Sequence, residues 1–312
     1  MNNLKRIAIT GATGYVGRFV VAELQRHQVA VRALARPSSQ RDGFAAPLEW
    51  IIGDLNTEAA LTQLVQDVDA VIHLAYEHVP GRYRGGEGDD LPAWLEANLN
   101  GSLRLLLAAR AVRVPRFIFL SSRAVFSATQ PGRVLDESHP TNPDTHYGAY
   151  KAAVESFLQS FSHAEGMQTS AIRATGVYGL TWPVERSKWW NLIQAVLHDD
   201  PITSSGGGTE VHGADVAGVI WHILNLPGSP PPVIHLSDLY VTHQEVVRLA
   251  RTFANRPGPL PPLPAQAPSN RLVSYQLPAL GLQLGGTERL TATVNDIVQT
   301  AELFNMRKKL SS

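Results

Sequence analysis

The stretch Ile7-Ala-Ile-Thr-Gly-Ala-Thr-Gly-Tyr-Val-Gly17 constrains what this chain can fold into more than any other segment. Apolar and small residues run into glycines at Gly11, Gly14 and Gly17, after which Phe19, Val20, Val21 and Leu24 recur at helical spacing. The pattern predicts a buried strand, a tight turn and a helix. Such a turn can bring bare backbone against a pyrophosphate at a helix N-terminus, where N–H groups and the helix dipole favour anionic oxygens. Gly11 would permit the turn, Gly14 the close approach and Gly17 the packing of helix on strand. The spacing G-x-x-G-x-x-G is one residue longer at its start than the G-x-G-x-x-G fingerprint, and a glycine-rich turn can also be merely a tight connection. The strand and helix around it favour cofactor binding.

With 312 residues, 44% of them hydrophobic and 17% charged, the chain can bury a large core, and two lobes are expected. Lys plus Arg equals Asp plus Glu at 27 each, so no net field draws it to nucleic acid or an acidic membrane. The absence of cysteine removes disulfides, thiolate catalysis and zinc–cysteine sites together. The segment before the first strand is too short for a signal peptide and no apolar run is long enough to span a bilayer, so the expected location is cytoplasmic. No metal-ligand motif such as H-E-x-x-H occurs, and no structural metal is expected.

Val29–Arg36 reads as a second strand, stopped by Pro37. An NAD site usually places an acid about 20 residues after the glycines to hold the ribose 2′-hydroxyl, whereas an Arg suits a 2′-phosphate. Here Arg36 occupies that region, no acid lies nearby in the sequence, and Arg32 shares its face of the strand. NADP is the expected cofactor, with NAD the alternative; both arginines could instead simply solvate an edge. Leu48–Asp54 looks like a third strand, whose Asp54 could accept from the adenine amino group or cap a helix from about Thr57 to Val68. Asp69–Ala75 is an apolar fourth strand suited to a sheet covered on both faces; His73 within it is read as a satisfied core residue without chemistry. The segment from Tyr76 to Asp90, with Arg82, Arg84, Glu87, Asp89 and Asp90, is expected to be a mobile loop at the carboxyl edge of the sheet. A helix over 91–112 follows, then a fifth strand, Arg116–Ser122, ending in two hydroxyls. Five alternations of strand and helix argue an α/β fold with a doubly wound parallel sheet.

His146-Tyr-Gly-Ala-Tyr-Lys151 opens a helix in which Tyr147 and Lys151, four residues apart, rise on one face about 6 Å apart along the axis. A phenol titrates near 10, too high for proton transfer at neutral pH. A neighbouring ammonium, helped by a nicotinamide's positive charge, would lower that value and let Tyr147 act as general acid or base. Tyr and Lys at this spacing are common on surface helices. The order of glycine turn, strand-end Ser122, Tyr147 and Lys151 along one predicted sheet edge is what raises the signal.

These residues, with Gly53-Asp-Leu55, His73-Leu-Ala75, Asn98-Leu-Asn-Gly-Ser102, Ser121-Ser-Arg-Ala-Val-Phe126, Arg173-Ala-Thr-Gly-Val-Tyr-Gly179 and Val211-His-Gly-Ala-Asp-Val-Ala217, give the chain a resemblance that runs almost end to end. It resembles an extended short-chain dehydrogenase/reductase of the NAD(P)-dependent epimerase/dehydratase family. The resemblance implies a Rossmann fold with a smaller C-terminal substrate lobe, and the longer glycine spacing becomes the expected form. It also implies roles: Ser122 orients the substrate carbonyl or hydroxyl, Tyr147 exchanges its proton, and Lys151 holds the nicotinamide ribose while tuning Tyr147. Gly11, Thr13, Gly14, Tyr15, Val16 and Gly17 would line the pyrophosphate, Asp54 and Leu55 the adenine, and Leu74 and Ala75 the inner sheet edge. Asn98 matches a family position near the site. Members that hold a nucleotide sugar usually have Asn where this chain has Gly176, and Arg in the region of Thr209 and Glu210. Members with dehydratase chemistry resemble one another in an Asp-Glu pair directly after the catalytic hydroxyl, where this chain has Arg123 and Ala124. Phe126 stands where a Tyr is usual.

Residues 1–178 are expected to form the dinucleotide-binding domain, with a return segment near 211–236, and 179–210 with 237–312 the substrate lobe. Trp182, Trp189, Trp190, Arg186 and Lys188 could wall a polar or anionic substrate, or the tryptophans could pack the lobe onto the sheet. Ser204–Gly208 reads as a flexible turn, Val233–Leu236 as a late strand, Thr242–Phe253 as a helix, Arg256–Pro268 as a polyproline-like connection and 286–306 as a closing helix. The two long helices carry apolar residues on more than one side, and in this family such helices pair across a two-fold axis, so a homodimer is expected. The resulting reading is an oxidoreductase moving hydride between a nicotinamide cofactor and a small, sugar-like substrate not attached to a nucleotide. The alternatives are an epimerase that retains its cofactor and a binding protein that senses NADPH.

Overall fold

A computed structural model describes residues 4–79, 81–82, 85–266 and 269–310. Arg84 of the predicted loop and Pro268 of the proline-rich segment lie outside the described residues.

The strands are β1 (Arg6–Thr10), β2 (Ala30–Ala35), β3 (Glu49–Ile52), β4 (Ala70–His73), β5 (Arg116–Ser122), β6 (Val134–Leu135), β7 (Gln168–Ala174), β8 (Gly176–Tyr178), β9 (Gly207–His212), β10 (Val233–Leu236), β11 (Leu239–Thr242) and β12 (Arg271–Leu272). The helices are α1 (Tyr15–Arg26), α2 (Glu58–Val65), α3 (Leu91–Leu95), α4 (Gly101–Ala111), α5 (His146–Glu165), α6 (Trp190–His198), α7 (Gly213–Asn225), α8 (His243–Phe253), α9 (Gln276–Ala279) and α10 (Gly286–Leu310).

Seven strands form one parallel sheet in the order β10-β7-β5-β4-β1-β2-β3. The chain winds outward from β1 to β3, returns to β4 beside β1, and then winds the other way. Strand order therefore reverses between β1 and β4, where ligands enter open sheets of this kind. The doubly wound prediction is what the chain forms. Apolar faces of α1 and α7 cover one side of the sheet around Ile7, Ile9, Ile72 and Ile234, while α2, α4 and α5 cover the other around Val71, Phe117 and Phe119. Burial on both faces explains why β4 and β10 lack an alternating pattern. A third core joins α6, α8 and α10 with Tyr178 and Val241, over a small sheet ordered β11-β9-β8.

Several boundaries move. Gly207 and Gly208, predicted as part of a flexible turn, instead open β9, because β11 pairs with them through Thr242 and Val241. The helix predicted over 57–68 runs only from Glu58 to Val65, and the one predicted over 91–112 is interrupted by a π-helical turn at Glu96–Asn100. The described part of the proline-rich segment has no regular structure and lies along α8, through Arg251 Nε donating to the Pro259 carbonyl and Gln244 Nε2 to that of Pro261. Among the described residues no helix is long and apolar enough to cross a membrane, and no cluster of three or more His, Asp or Glu could hold a metal.

Candidate active site

The glycine turn sits at the switch between β1 and β4. Gly11 has φ +77°, and a Cβ there would lie 2.7 Å from the Ala75 nitrogen and 2.8 Å from the Leu74 carbonyl carbon. A Cβ on Gly17 would lie 2.0 Å from the Gly11 oxygen. Both positions are thus closed to side chains by backbone. Gly14 caps α1 without a side-chain hydrogen bond, and the first turn of that helix holds no acid, leaving a helix start suited to phosphate. Thr13, Tyr15 and Val16 complete the turn half-buried; the Tyr15 hydroxyl donates to the Gly179 carbonyl (2.7 Å) and accepts from the Lys188 backbone N–H (3.0 Å), tying the turn to the small lobe.

Beneath the turn, Thr10 Oγ1 bonds His73 Nδ1 (2.7 Å), His73 Nε2 bonds Ser102 Oγ (2.8 Å), and the Ala75 N–H donates to Thr10 Oγ1 (3.2 Å). His73 is fully buried, and desolvation first, then the Lys151 charge, push its pKa down to about 3. It is the satisfied core residue predicted. Asn98, set on the π-helical turn, accepts from the Glu77 N–H (2.8 Å) and donates to the Glu77 carbonyl (3.0 Å), fixing the chain as it leaves β4.

Around the end of β5 the structure gathers Ser122, Tyr147 and Lys151. Ser122 Oγ accepts from the Ala124 N–H (3.1 Å), opening a short 3₁₀ turn at Arg123–Phe126. Thr145 caps α5 by accepting from the Gly148 N–H (3.1 Å), which sets the first turn carrying Tyr147. Gly148 has to be small: its Cβ would lie 2.4 Å from the Ala124 oxygen, so the missing side chain lets α5 approach the Ser122 turn. Lys151 Nζ donates to the Leu120 carbonyl (2.7 Å) and lies 5.7 Å from the Tyr147 ring centre. Lys151 is 3% exposed, and burial pushes its pKa down to about 7 against the opposing pull of Glu155. The fold makes the charge of this ammonium conditional. Glu155 in turn pairs with buried Arg173 (2.7 Å), locking α5 to β7.

At the rim, Arg36 and Asp54 follow the neighbouring strands β2 and β3. The fold adds partners that the sequence did not show. No acid flanks Arg36 along the chain, yet folding brings Glu77 Oε2 within 3.5 Å of its guanidinium. Arg32, on β2, pairs with Glu49 (2.8 Å) and donates to the Gln63 carbonyl of α2 (3.0 Å). Asp54 Oδ1 accepts from the Asn56 N–H (2.9 Å) and the Thr57 hydroxyl (2.8 Å), turning the chain into α2. The Leu55 side chain is buried, and Gly101 is small because its Cβ would lie 2.7 Å from Leu55 Cβ.

Two of the three tryptophans pack inside the small lobe. Trp190 is 5% exposed against Phe304 and Trp189 packs on Tyr178, so both belong to the lobe core, whereas Trp182 is 44% exposed beside Gly43. Lys188 grips the carboxylate of Glu210 at 2.5 and 2.6 Å. Burial raises the Glu210 pKa, with Lys188 opposing. A Cβ on Gly176 would lie 2.4 Å from Glu210 Oε2 and 2.8 Å from Lys188 Nζ, so this ion pair fills the space that an Asn would need. Arg123 NH1 donates to Thr209 Oγ1 (2.9 Å).

Sequence reasoning missed Tyr76, whose ring lies 4.9 Å from that of Tyr147 and whose centre is 5.6 Å from Lys151 Nζ. It also missed Glu77, and it gave Gly148, inside the Tyr147–Lys151 motif, no role. The spacing of Tyr76 and Glu77 carries no motif, and only the return of β4 beside β1 brings them to the site.

Residues 7–235 match the model of the family described as NAD dependent epimerase/dehydratase. The chain is 26% identical over 223 residues to the uronate dehydrogenase of Pseudomonas putida, covering 69% of this chain and 78% of that protein. It is 29% identical over 185 residues to the L-arabinose 1-dehydrogenase (NAD(P)(+)) of Haloferax volcanii, covering 54% and 66%. Three of the curated relatives it matches are spanned over 40%, 51% and 66% of their own length, about half. In structure it is similar to the UDP-glucose 4-epimerase of Thermus thermophilus in complex with NAD, at TM-score 0.77 and 22% identity over 94% of this chain and 99% of that one. That likeness is one of fold. A family match over residues 7–235, on a sheet whose switch point carries the glycine turn, leads to one conclusion: this chain belongs to the NAD-dependent epimerase/dehydratase family.

Proposed function

We propose that the protein is an NAD(P)-dependent oxidoreductase that transfers hydride between the nicotinamide and a hydroxyl or carbonyl carbon of a small, sugar-like substrate not attached to a nucleotide. The observation that carries this reading is that Lys151, 5.7 Å from the Tyr147 ring centre, bonds the Leu120 carbonyl two residues before Ser122 at the end of β5, two strands from the Gly11 turn. The cofactor supplies the hydride chemistry. The chain's part is to hold the pyrophosphate at the α1 start, orient the substrate oxygen with Ser122, and move its proton through Tyr147, with Lys151 favouring the phenolate when charged. Exclusion of a nucleotide diphosphate is supported by Glu210 and Lys188 filling the space over Gly176. The similarity to an L-arabinose 1-dehydrogenase and a uronate dehydrogenase points the same way.

The cofactor preference is NADP, with Arg36 as the 2′-phosphate contact once it leaves Glu77. Residues 1–178 with 211–236 serve the cofactor, 179–210 with 237–312 the substrate, in a cytoplasmic enzyme. Exposed Leu107 on α4 and Phe157 on α5 support a homodimer formed through these helices.

A second reading, an epimerase that retains its cofactor, draws support from the 28% identity over 178 residues to the UDP-glucose 4-epimerase of Azospirillum brasilense. The experiment that separates the two is a panel of sugars and sugar acids, each offered with NAD or NADP. Net reduced cofactor, reduced by ~10²-fold or more in Tyr147→Phe, fits the first reading. Isomerised product without net cofactor change fits the second, and equal inertness of both proteins with intact cofactor binding would favour a cofactor sensor. Fluorescence titration with NADP and NAD tests the preference, which equal affinities and a silent Arg36→Ala would overturn.

A further inference from the structure

We propose that Tyr76 is a positioning residue for proton transfer: its ring closes an aromatic cage that holds the Lys151 ammonium beside Tyr147. The inference rests on the reading of Tyr147 and Lys151 as the proton-transfer pair. Lys151 Nζ lies over the rings of Phe119, Tyr150, Tyr76 and Tyr147, at 4.4, 5.0, 5.6 and 5.7 Å from their centres. All four distances fall inside the ~6 Å over which the negative face of a ring attracts a cation, and the attraction grows where water is excluded. Lys151 is buried. An ammonium carries three N–H donors, and among the described residues Lys151 uses one, on the Leu120 carbonyl (2.7 Å).

Phe119 lies on β5, and Tyr147 and Tyr150 on α5, the elements that already bear Ser122 and Lys151. Of the four rings, Tyr76 arrives from elsewhere, on the chain leaving β4, and that chain is held. His78 stacks on the Tyr76 ring (4.9 Å between centres, 5° between planes), and Trp94 meets it edge-on (6.1 Å, 89°). Asn98 grips the backbone of the next residue, Glu77, at both its N–H (2.8 Å) and its carbonyl (3.0 Å). So mounted, the ring reaches that of Tyr147 at 4.9 Å and that of Tyr150 at 6.1 Å. A side chain that merely filled core would need apolar bulk here; one that steadies a cation needs a ring face.

The charged groups around Lys151 do not replace the cage. Glu155, one turn along α5, favours the ammonium but is itself paired with Arg173 of β7 (2.7 Å). His73 of β4 is buried and neutral between Thr10 and Ser102 (2.7 and 2.8 Å). Loss of the Tyr76 ring therefore disfavours the ammonium, lowers the pH at which Lys151 gives up its proton, and raises the pH at which Tyr147 does.

The test is an NMR titration of the full chain with carbon-labelled lysines, of which there are five: Lys5, Lys151, Lys188, Lys308 and Lys309. Lys151→Met assigns the signal. In the parent protein the Lys151 Hε resonance should lie upfield of an exposed lysine's, because ring faces shield it. Tyr76→Leu, which keeps apolar bulk without a ring, should reduce that displacement and lower the Lys151 midpoint by ~0.5 pH unit or more, whereas Tyr76→Phe should keep both. Should Tyr76→Leu not fold, Tyr76→Met is read in the same way. With NADP and D-glucose or D-glucuronate, the rising limb of kcat for oxidation should move to higher pH in Tyr76→Leu with KM unchanged, and Tyr76→Phe should restore it. A Lys151 resonance at the exposed position, or a Tyr76→Leu midpoint equal to or above the parent's, would overturn the proposal. So would a Tyr76→Phe protein that behaves as Tyr76→Leu does, or an unmoved limb on a sugar that turns over. Turnover of neither sugar counts against the oxidoreductase reading alone, and the lysine titration then decides the cage by itself.

Discussion

Two kinds of glycine line this crevice, and they are closed to side chains by different matter. At Gly11 and Gly17 a Cβ would strike backbone: Ala75 and Leu74 in one case, the Gly11 carbonyl in the other. At Gly176 it would strike the carboxylate of Glu210 and the ammonium of Lys188, the ends of side chains. Backbone cannot step aside without moving β1 or β4, whereas side chains can turn or be exchanged. In the proposed reading, the cofactor side is therefore built from geometry common to a fold, and the substrate side from contacts that a few substitutions rewrite.

The largest effect expected from this contrast is at Gly17. Gly17→Ala should cost about 3 kcal/mol of stability and abolish nicotinamide cofactor binding, read by thermal unfolding and by fluorescence titration. An alanine tolerated there with unchanged affinity would break the distinction.

Acid should next find the junction between the two sides. His212 ends β9 and caps α7 by accepting from the Ala214 N–H (3.0 Å), and burial, helped by Arg289, pushes its pKa down to about 4. The unfolded chain takes up a proton near pH 6.5 and the folded one only near 4, so stability is present above ~6.5 and falls as pH drops through that window. His212→Asn keeps a capping oxygen and should remove about 2 kcal/mol of the loss between pH 6.5 and 4 in denaturant titrations, whatever its effect at neutral pH.

Gly176→Ala should leave folding and cofactor affinity nearly intact while raising substrate KM several-fold, about 1 kcal/mol. Glu210→Ala in the same chain should recover part of that loss by opening the space. An alanine as damaging as that at Gly17 would place backbone-like rigidity on the substrate side too.

The smallest signal is a fraction of a proton. With Lys151 near 7 before cofactor binds, the ammonium should be favoured by the bound ribose, so binding at pH 8.5 should take up a proton and binding at pH 6 should not. Calorimetry in buffers of different ionisation enthalpy reads this, and Lys151→Met should abolish it. Equal uptake at both values would mean that the cofactor side holds its charge before any ligand arrives.

How far the chain could be read in advance follows the same line. Local signals reached the glycine turn, the β5 strand from Arg116 to Ser122, the helical spacing of Tyr147 and Lys151 and the core status of His73. Each depends on contacts a few residues away or on a period that burial imposes. The role of Asp54 stayed open because an Asx turn into α2 and a rim contact ask for the same residue. The Arg36–Glu77 pair, the contact of Tyr76 with Tyr147 and the split among the tryptophans were illegible, since each joins segments that meet only after β4 returns beside β1 or the small lobe closes.

The sequence by itself determined a strand–turn–helix with glycines at Gly11, Gly14 and Gly17, an alternation that winds a parallel sheet, and the placing of Tyr147 and Lys151 on one helix face. These are properties of adjacent backbone and of periodicity. Tertiary structure alone decided that Lys151 would carry a conditional charge, that Glu210 would be neutralised by Lys188 over Gly176, and that Arg123 would leave Ser122 to anchor on β9. Desolvation and long-range side-chain contact depend on what the fold brings near, and no local pattern encodes that.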